Sequence, residues 1–136
     1  RVLRPDVAEH VRDILVQAVE EGTGKAARIP WVRVAGKTGT AQKLNPGGGY
    51  SHTNFIGSFM GFAPADRPLL AMIVMLDDPH PSYYGGTVAA PVFKAVMEDA
   101  LLYLGYVPKS LDGAGMEQPI HPAQSVAAPS STALAR

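Results

Sequence analysis

The start of the chain carries apolar residues at helical spacing. Asp6 followed three residues later by Glu9 matches a capping box, and Gly22 stands where a left-handed residue ends many helices. One face of this helix would be formed by Val7, Val11, Ile14, Leu15, Ala18 and Val19. The pattern predicts a first helix over residues 6–22.

The pattern changes to strand-like alternation after a basic connector. Residues 31–35 alternate as in a strand and lead directly into residues 36–40, which are therefore predicted to lie on or at the end of that strand. Residues 44–53 are rich in Gly, Asn and Pro, and they predict a long mobile hairpin loop.

Two further apolar segments predict two more strands. Residues 55–63 place bulky side chains on both faces, and residues 69–76 form an unbroken apolar run. Such strands are expected to be covered on both faces. Residues 64–68 form a short turn with two prolines, so these two strands are predicted to pair antiparallel.

The last predicted element is a helix that begins near Thr87, accepts Pro91 in its first turn and ends at Gly105. Its apolar face would contain Phe93, Val96, Met97, Ala100, Leu101 and Leu104. From Lys109 onward the composition is typical of a disordered tail. The order of elements predicts an α/β (α+β layered) fold, with an antiparallel sheet sandwiched by helices.

Composition excludes several classes of protein. The 136 residues include 12 basic and 12 acidic side chains, so the net charge of zero does not favour nucleic acid as a partner. The absence of cysteine excludes disulfides and thiolate metal sites. The longest apolar run is far short of the roughly 20 residues of a membrane span. The chain begins at Arg1, from which we expect a larger polypeptide with further residues upstream.

The local distribution of charge is uneven. No acidic residue lies between Glu21 and Asp66, whereas five basic residues do: Lys25, Arg28, Arg33, Lys37 and Lys43. This segment favours an anionic ligand, although a solvated basic face would have the same pattern.

The tetrapeptide Lys37-Thr38-Gly39-Thr40 combines a cation, two hydroxyl groups and a residue without a side chain. Gly39 would let an extended peptide lie close against the strand, while Thr38 and Thr40 could donate hydrogen bonds to a carboxylate. Lys37 would supply positive charge for that carboxylate or for a proton relay, and the Thr40 N–H could face an oxyanion. A surface turn with an ordinary lysine is the simpler interpretation of four residues alone.

Three alternatives remain to be compared with this interpretation. Gly36-Lys37-Thr38 resembles the end of a P-loop, but the required first glycine is replaced by Trp31 and no helix is predicted after Thr38. The four histidines lack metal-ligand spacing, so neither a metal nor another cofactor is expected. A non-catalytic module that binds peptidoglycan or a protein partner is the third alternative.

A wider set of motifs resembles the end of the transpeptidase domain of class B penicillin-binding proteins, a partial serine β-lactamase/transpeptidase-like domain. The matching segments are residues 35–43 (AGKTGTAQK), 62–64 (FAP), 78–79 (DP), 83–86 (YYGG) and 90–93 (APVF). They occur in the order of the family. The resemblance assigns residues 1–108 to this domain and leaves residues 109–136 as the disordered tail.

The resemblance implies a D,D-transpeptidase that cross-links peptidoglycan stem peptides ending in D-Ala-D-Ala through a serine acyl-enzyme, the group that β-lactams also acylate. Lys37 and Thr40 would be catalytic. Thr38, Gly39 and Thr40 would bind substrate, with Tyr83 and Tyr84 as an aromatic wall or simply a flexible loop. Cell-wall synthesis or division proteins would be possible partners.

The sequence also departs from the family. It contains no Ser-x-x-Lys, and Ser51-His52-Thr53-Asn54 has one residue too many for Ser-x-Asn. We therefore expect both motifs in an upstream remainder of the same domain, and this chain alone to be inactive. The resemblance further implies a location on the periplasmic face of the cell membrane, with an N-terminal anchor outside this chain.

Overall fold

A computed structural model describes residues 2–106 of the chain, which fold as a small sheet flanked by helices. The elements in chain order are α1 (Pro5–Glu20), a 3₁₀ helix (Lys25–Ala27), β1 (Ala35–Leu44), β2 (Tyr50–Ala63), β3 (Leu70–Asp77), α2 (Gly85–Val88) and α3 (Ala90–Tyr103). The predicted order of helix, three strands and helix is confirmed, with two short helices added: the 3₁₀ helix before β1 and α2 before the last helix. The predicted disordered tail lies outside the described residues.

The sheet is antiparallel, with β2 in the centre and β1 and β3 at its edges. Lys37 lies opposite Met60, and Met60 lies opposite Ile73, so these three residues share one face. Thr38, Phe59 and Val74 are the equivalent row of the other face. The motif tetrapeptide therefore lies in the middle of an edge strand.

The hydrophobic core lies between the sheet and α3. Phe59 of β2 and Phe93 of α3 are fully buried, and their rings meet edge to face at 4.7 Å between centroids. Met97 and Leu101 continue the buried stripe of α3 at intervals of four residues, which places them on one side of the helix. Trp31 Nε1 donates to Glu98 Oε1 at 2.9 Å and ties the segment before β1 to the same helix.

The predicted ends of the helices were partly wrong. α1 begins at Pro5, and Arg4 occupies the cap position without a side-chain hydrogen bond, so Asp6 lies inside the first turn. The fixed φ of proline suits this first helical position. Gly22 does not adopt a left-handed conformation, whereas Gly105 does, with φ of 78°. The end of α3 at Gly105 is thus confirmed.

The apolar faces of both helices are narrower than predicted. In α1 the buried residues are Val19 and Val16, of which Val16 was not part of the predicted face, and Ile14 is exposed. In α3, Val96 and Leu104 are about half exposed. The last helix also starts later than Thr87, because α2 ends at Val88 and α3 begins at Ala90.

The ends of the strands differ from the prediction more than the ends of the helices do. Residues 31–34 are not part of β1, which begins at Ala35 and runs past the motif to Leu44. β2 begins at Tyr50, so the connection is residues 45–49 and the prediction of a loop over 44–53 was wrong. Its ends are joined by a hydrogen bond from the Asn45 N–H to the Gly49 carbonyl at 2.9 Å. Backbone pairing extends through polar residues because it does not depend on apolar side chains.

The two faces of the sheet are covered unequally. The face that contains Phe59 and Val74, which we call the covered face, packs against α3. The opposite face exposes 62% of Met60, 56% of Ile73 and 60% of Met75, and we call it the open face. α1 covers its end near Ala35 through Val16. The prediction that these strands are covered on both faces was therefore wrong for the part of the chain that the structure describes.

Candidate active site

The motif strand presents part of its backbone on a free edge. Lys37 Nζ donates to the Thr38 carbonyl at 3.2 Å, which places that carbonyl on the side of β1 away from β2. In an antiparallel pair, alternate residues direct their N–H and C=O groups to the same side. The backbone N–H and C=O of Thr40 therefore lie on the same edge as those of Thr38, which has no strand partner in the part of the chain that the structure describes and can accept an added extended chain.

Two polar side chains contact the Thr38 hydroxyl. Lys37 Nζ lies 3.1 Å from Thr38 Oγ1, and Thr23 Oγ1 lies 2.8 Å from it. Lys37 and Thr38 were predicted for the site, but Thr23 was not. It lies between α1 and the 3₁₀ helix. The only sequence signal for it is the flexible triplet Gly22-Thr23-Gly24 followed by Lys25.

A cavity of about 410 Å³ opens beside these groups. Its lining is Thr23, Lys25, Ala26, Thr38, Thr40, Tyr84, Gly85, Gly86 and Thr87. Four of these residues carry hydroxyl groups on aliphatic side chains and one is a lysine, a lining suited to an anionic group. Lys37 is exposed and does not line the cavity, but its ammonium group bonds to Thr38, which does.

The two predicted tyrosines occupy different places. Tyr84 lines the cavity and is 59% exposed. The Tyr83 ring stacks on Phe55 of β2 at 4.1 Å between centroids and also lies 4.6 Å from the Tyr84 ring. Its hydroxyl donates to the Tyr84 hydroxyl at 3.5 Å, and this hydrogen bond raises the pKa of Tyr83 above its ordinary value. Tyr84 therefore faces the cavity, while Tyr83 fixes it to the sheet.

The segment after Tyr84 passes very close to β1. The Gly85 N–H donates to Thr40 Oγ1 at 3.3 Å, and a Cβ atom on Gly85 would collide with the carbonyl oxygens of Gly39 and Ser58. A Cβ atom on Gly86 would lie 2.5 Å from the Thr23 carbonyl oxygen. These two positions need glycine because no side chain fits between the loop, the motif strand and Thr23.

A polar clamp holds the beginning of the same loop. Asn54 Nδ2 donates to Asp78 Oδ2 at 2.8 Å, and the Asp78 N–H donates to the Phe55 carbonyl at 2.8 Å. The hydrogen bond from Asn54, followed by the charges of His80 and Lys43, lowers the pKa of Asp78 below its ordinary value. The loop that carries both tyrosines is therefore attached to β2 at one end and to β1 at the other.

The position of the motif also tests the alternative that Gly36-Lys37-Thr38 belongs to a nucleotide-binding P-loop. Lys37 and Thr38 lie inside a strand that continues to Leu44, whereas a P-loop needs a helix to start there. That alternative is excluded. Within residues 2–106, no group of three or more His, Asp or Glu side chains could hold a metal ion.

The model of the penicillin binding protein transpeptidase domain matches residues 1–98 of the chain. The chain belongs to this family. The matched range contains the motif strand, the cavity and both tyrosines, so the candidate active site is part of a penicillin-binding transpeptidase domain.

Individual relatives support the assignment to the penicillin-binding family. Stage V sporulation protein D of Bacillus subtilis is 44% identical over 110 residues, which are 80% of this chain and 17% of that protein. The probable peptidoglycan D,D-transpeptidase PenA of Neisseria flavescens is also 44% identical over 110 residues, covering 79% of this chain and 27% of the relative. The chain thus spans between about a sixth and about a quarter of the length of these two relatives.

Solved structures also support the assignment to this family. The transpeptidase domain of penicillin-binding protein 3 from Burkholderia pseudomallei superposes with a TM-score of 0.71 at 40% identity, over 80% of this chain and 33% of that one. Penicillin-binding protein 3 of Mycobacterium tuberculosis in complex with ampicillin has a TM-score of 0.71 at 36% identity, over 79% of this chain and 26% of that one. The predicted family and fold class are therefore confirmed.

Proposed function

We propose that this chain supplies the substrate-binding strand of a peptidoglycan D,D-transpeptidase, an enzyme that joins stem peptides ending in D-Ala-D-Ala and is acylated by β-lactams. The observation that carries the proposal is the arrangement at β1: the Thr38 and Thr40 hydroxyls line one polar cavity, and the Lys37 ammonium bonds to Thr38. Relatives named D,D-transpeptidases and a homologue solved with ampicillin support it.

In this mechanism the terminal carboxylate of the substrate lies against the Thr38 and Thr40 hydroxyls, near the positive charge of Lys37. The peptide extends along the free edge of β1, where Gly39 leaves room for close backbone approach. The Thr40 N–H points to the developing oxyanion as one half of its binding site. Tyr84, braced by Tyr83, forms a wall of the cavity beside the leaving residue.

The nucleophile comes from a part of the domain outside these 136 residues, because no Ser-x-x-Lys or Ser-x-Asn occurs among them. Its hydroxyl oxygen attacks the carbonyl carbon of the penultimate D-Ala, and its proton passes to a nearby base. The C–N bond then breaks, and the terminal D-Ala leaves after its nitrogen takes up a proton. An amine of a second stem peptide attacks the acyl-enzyme and releases the serine.

The rest of the domain would also cover the open face. Contiguous exposed apolar side chains such as Met60, Ile73 and Met75 are unusual on a soluble monomer and indicate an interface. The chain covers 33% of the length of the solved Burkholderia domain, so most of such a domain is available to cover them. This packing would bring the serine motif to the edge of β1.

The reaction places the enzyme where peptidoglycan is assembled, outside the cytoplasm. Within residues 2–106 no helix is long and apolar enough to cross a membrane. We propose that an N-terminal segment beyond this chain anchors the protein to the periplasmic face of the cell membrane, next to other proteins of cell-wall synthesis or division.

Fluorescent penicillin tests the proposal. We expect it to label the complete protein and to leave residues 1–136 alone unlabelled, since these residues lack the serine of a Ser-x-x-Lys motif. Lys37→Ala should slow labelling about 100-fold or more, the usual effect of removing one preorganised charged or hydrogen-bonding group. Lys94→Ala, on α3, is the matched control and should label normally. Labelling of the isolated chain would overturn the assignment, and binding of D-Ala-D-Ala without any acylation of the complete protein would indicate a non-catalytic module.

A further inference from the structure

We propose that Thr23 is a positioning residue that turns the hydroxyl hydrogen of Thr38 toward the carboxylate of the bound substrate or β-lactam. This inference rests on the proposed function, because it assigns a role to the neighbour of a proposed binding group. The observation behind it is the 2.8 Å contact between Thr23 Oγ1 and Thr38 Oγ1, two residues that are 15 positions apart in the sequence.

The hydrogen bonds at Thr38 limit what its hydroxyl can do. A hydroxyl group has one hydrogen and two acceptor lone pairs, whereas a lysine ammonium can only donate. Lys37 Nζ at 3.1 Å therefore occupies one lone pair of Thr38 Oγ1. When Thr23 donates to the second lone pair, the hydrogen of Thr38 is left free to bond to a ligand in the cavity that both threonines line.

The opposite direction of this hydrogen bond would harm binding. If Thr38 donated to Thr23, it would present a lone pair to the cavity and repel a carboxylate. A bound carboxylate instead favours a chain in which Thr23 donates to Thr38 and Thr38 donates to the ligand, because consecutive hydrogen bonds polarise and strengthen one another. Thr23 thereby makes Thr38 a better donor without contacting the carboxylate itself.

The backbone around Thr23 is fixed on two sides. On one side the Gly24 N–H donates to the Ala18 carbonyl of α1 at 2.9 Å. On the other side Gly86 lies so close to the Thr23 carbonyl oxygen that a Cβ atom there would be 2.5 Å away. The position of the Thr23 hydroxyl is thus set by α1 and by the same loop that brings Tyr84 to the cavity.

The test compares acylation of the complete protein by penicillin G and by its methyl ester, which lacks the anionic carboxylate. Thr23→Val keeps the shape of the side chain and removes the hydroxyl group. We expect it to lower the second-order rate constant for penicillin G about 10-fold, as for a weakened hydrogen bond to a charged group, with little change for the ester. Thr23→Ser should restore the rate, since it keeps the donor.

Thr53→Val is the matched control, because Thr53 is an exposed, hydrogen-bonded threonine on β2 away from the cavity. It should not change either rate. An unchanged or increased rate of Thr23→Val with penicillin G would overturn the proposal, and so would an equal loss with both compounds, which indicates a purely structural effect.

Thr38→Val separates this inference from the proposed function. If Thr38→Val lowers the rate for penicillin G and Thr23→Val does not, the role of Thr23 is refuted and the proposed function stands. If Thr38→Val and Lys37→Ala are both without effect, the motif strand does not bind the carboxylate, and both proposals fail.

Discussion

The covered and open faces of the sheet are built from the same strands but have different surroundings. On the covered face Phe59 is fully buried below α3, and on the open face its neighbour Met60 is 62% exposed. On β3, half-buried Val74 alternates in the same way with the exposed residues Ile73 and Met75. These five side chains are all apolar, so the difference in their burial comes from the presence of α3 on one face.

This contrast shows which part of the structure the chain stabilises by itself. The covered face forms its core from residues of this chain alone, namely Phe59, Phe93, Met97 and Leu101. The open face has the composition of an interior, but among residues 2–106 only α1 covers it, at one end. Stability measurements on the complete protein can therefore test whether the two faces are equally important once the whole domain is present.

The largest loss of stability is expected for a substitution in the core under the covered face. Phe93→Ala removes a fully buried ring that contacts Phe59 edge to face, and it should lower the free energy of unfolding of the complete protein by about 3–5 kcal/mol. Denaturant unfolding would measure the change. Tyr103→Ala on the same helix is the control, because Tyr103 is 91% exposed and should matter little. Similar losses for the two variants would contradict the position of the core.

A slightly smaller loss of stability is expected for a substitution on the open face. If the rest of the domain covers it, Ile73→Ala should lower the free energy of unfolding of the complete protein by about 2–4 kcal/mol, as for a buried aliphatic residue. Leu102→Ala on α3, with a similar exposed fraction in this chain, should change stability by less than about 0.5 kcal/mol. Equal, small effects would show that the open face faces solvent in the complete protein.

The isolated chain provides a second test of whether the open face is an interface. Within residues 2–106 the open face is exposed and one edge of β3 has no strand partner, so residues 1–136 should self-associate, and sedimentation velocity would detect it. Ile73→Glu should reduce this association because it places a charge in the apolar face. A monomeric wild-type chain would contradict the interpretation of this face as an interface.

A third effect concerns Gly85, the first residue of α2, where the chain passes close to β1 on the covered face. Gly85→Ala would push a methyl group into the carbonyl oxygens of Gly39 and Ser58, so we expect a loss of about 1–3 kcal/mol in stability and slower acylation by penicillin. Gly47→Ala is the control, since a Cβ atom there meets nothing within 4 Å. Normal acylation by Gly85→Ala would show that the loop does not need its close contact with Thr40.

The sequence predicted the elements better than their ends. The order of helices and strands follows from hydrophobic periodicity, and the predicted end of α3 at Gly105 was correct. The hairpin was predicted too long, because strand pairing through Gln42 and Leu44 depends on backbone hydrogen bonds that leave no apolar pattern. The expected burial of residues 69–76 on both faces was wrong for a different reason. An apolar run indicates that a strand is buried in the folded protein, but it does not show which part of the protein packs against it.

The candidate site could be predicted as far as the motif strand and the two tyrosines. Lys37, Thr38 and Thr40 are adjacent in the sequence, and their chemistry is apparent from their types. Thr23 could not be found in this way, because its contact with Thr38 depends on how α1 packs against β1. The different positions of Tyr83 and Tyr84 likewise depend on the stacking of one of them on Phe55.

The smallest expected effect concerns the clamp at the start of the loop. The hydrogen bond from Asn54 is the main cause of the lowered pKa of Asp78, so the charged carboxylate stabilises the folded state. This contribution is fully present above the ordinary carboxyl pKa of about 3.9 and is lost as the pH falls through the lowered pKa of Asp78. Asn54→Ala should therefore lower the melting temperature at neutral pH, and at acidic pH the difference from the wild type should shrink to the part that comes from the hydrogen bonds of Ser51 and Thr53 to Asn54. Asn45→Ala in the hairpin, whose N–H and C=O bond to the backbone of Gly49 and Gly48, should show no such convergence. A difference between Asn54→Ala and wild type that stays constant with pH would mean that the clamp acts through shape and not through the charge of Asp78.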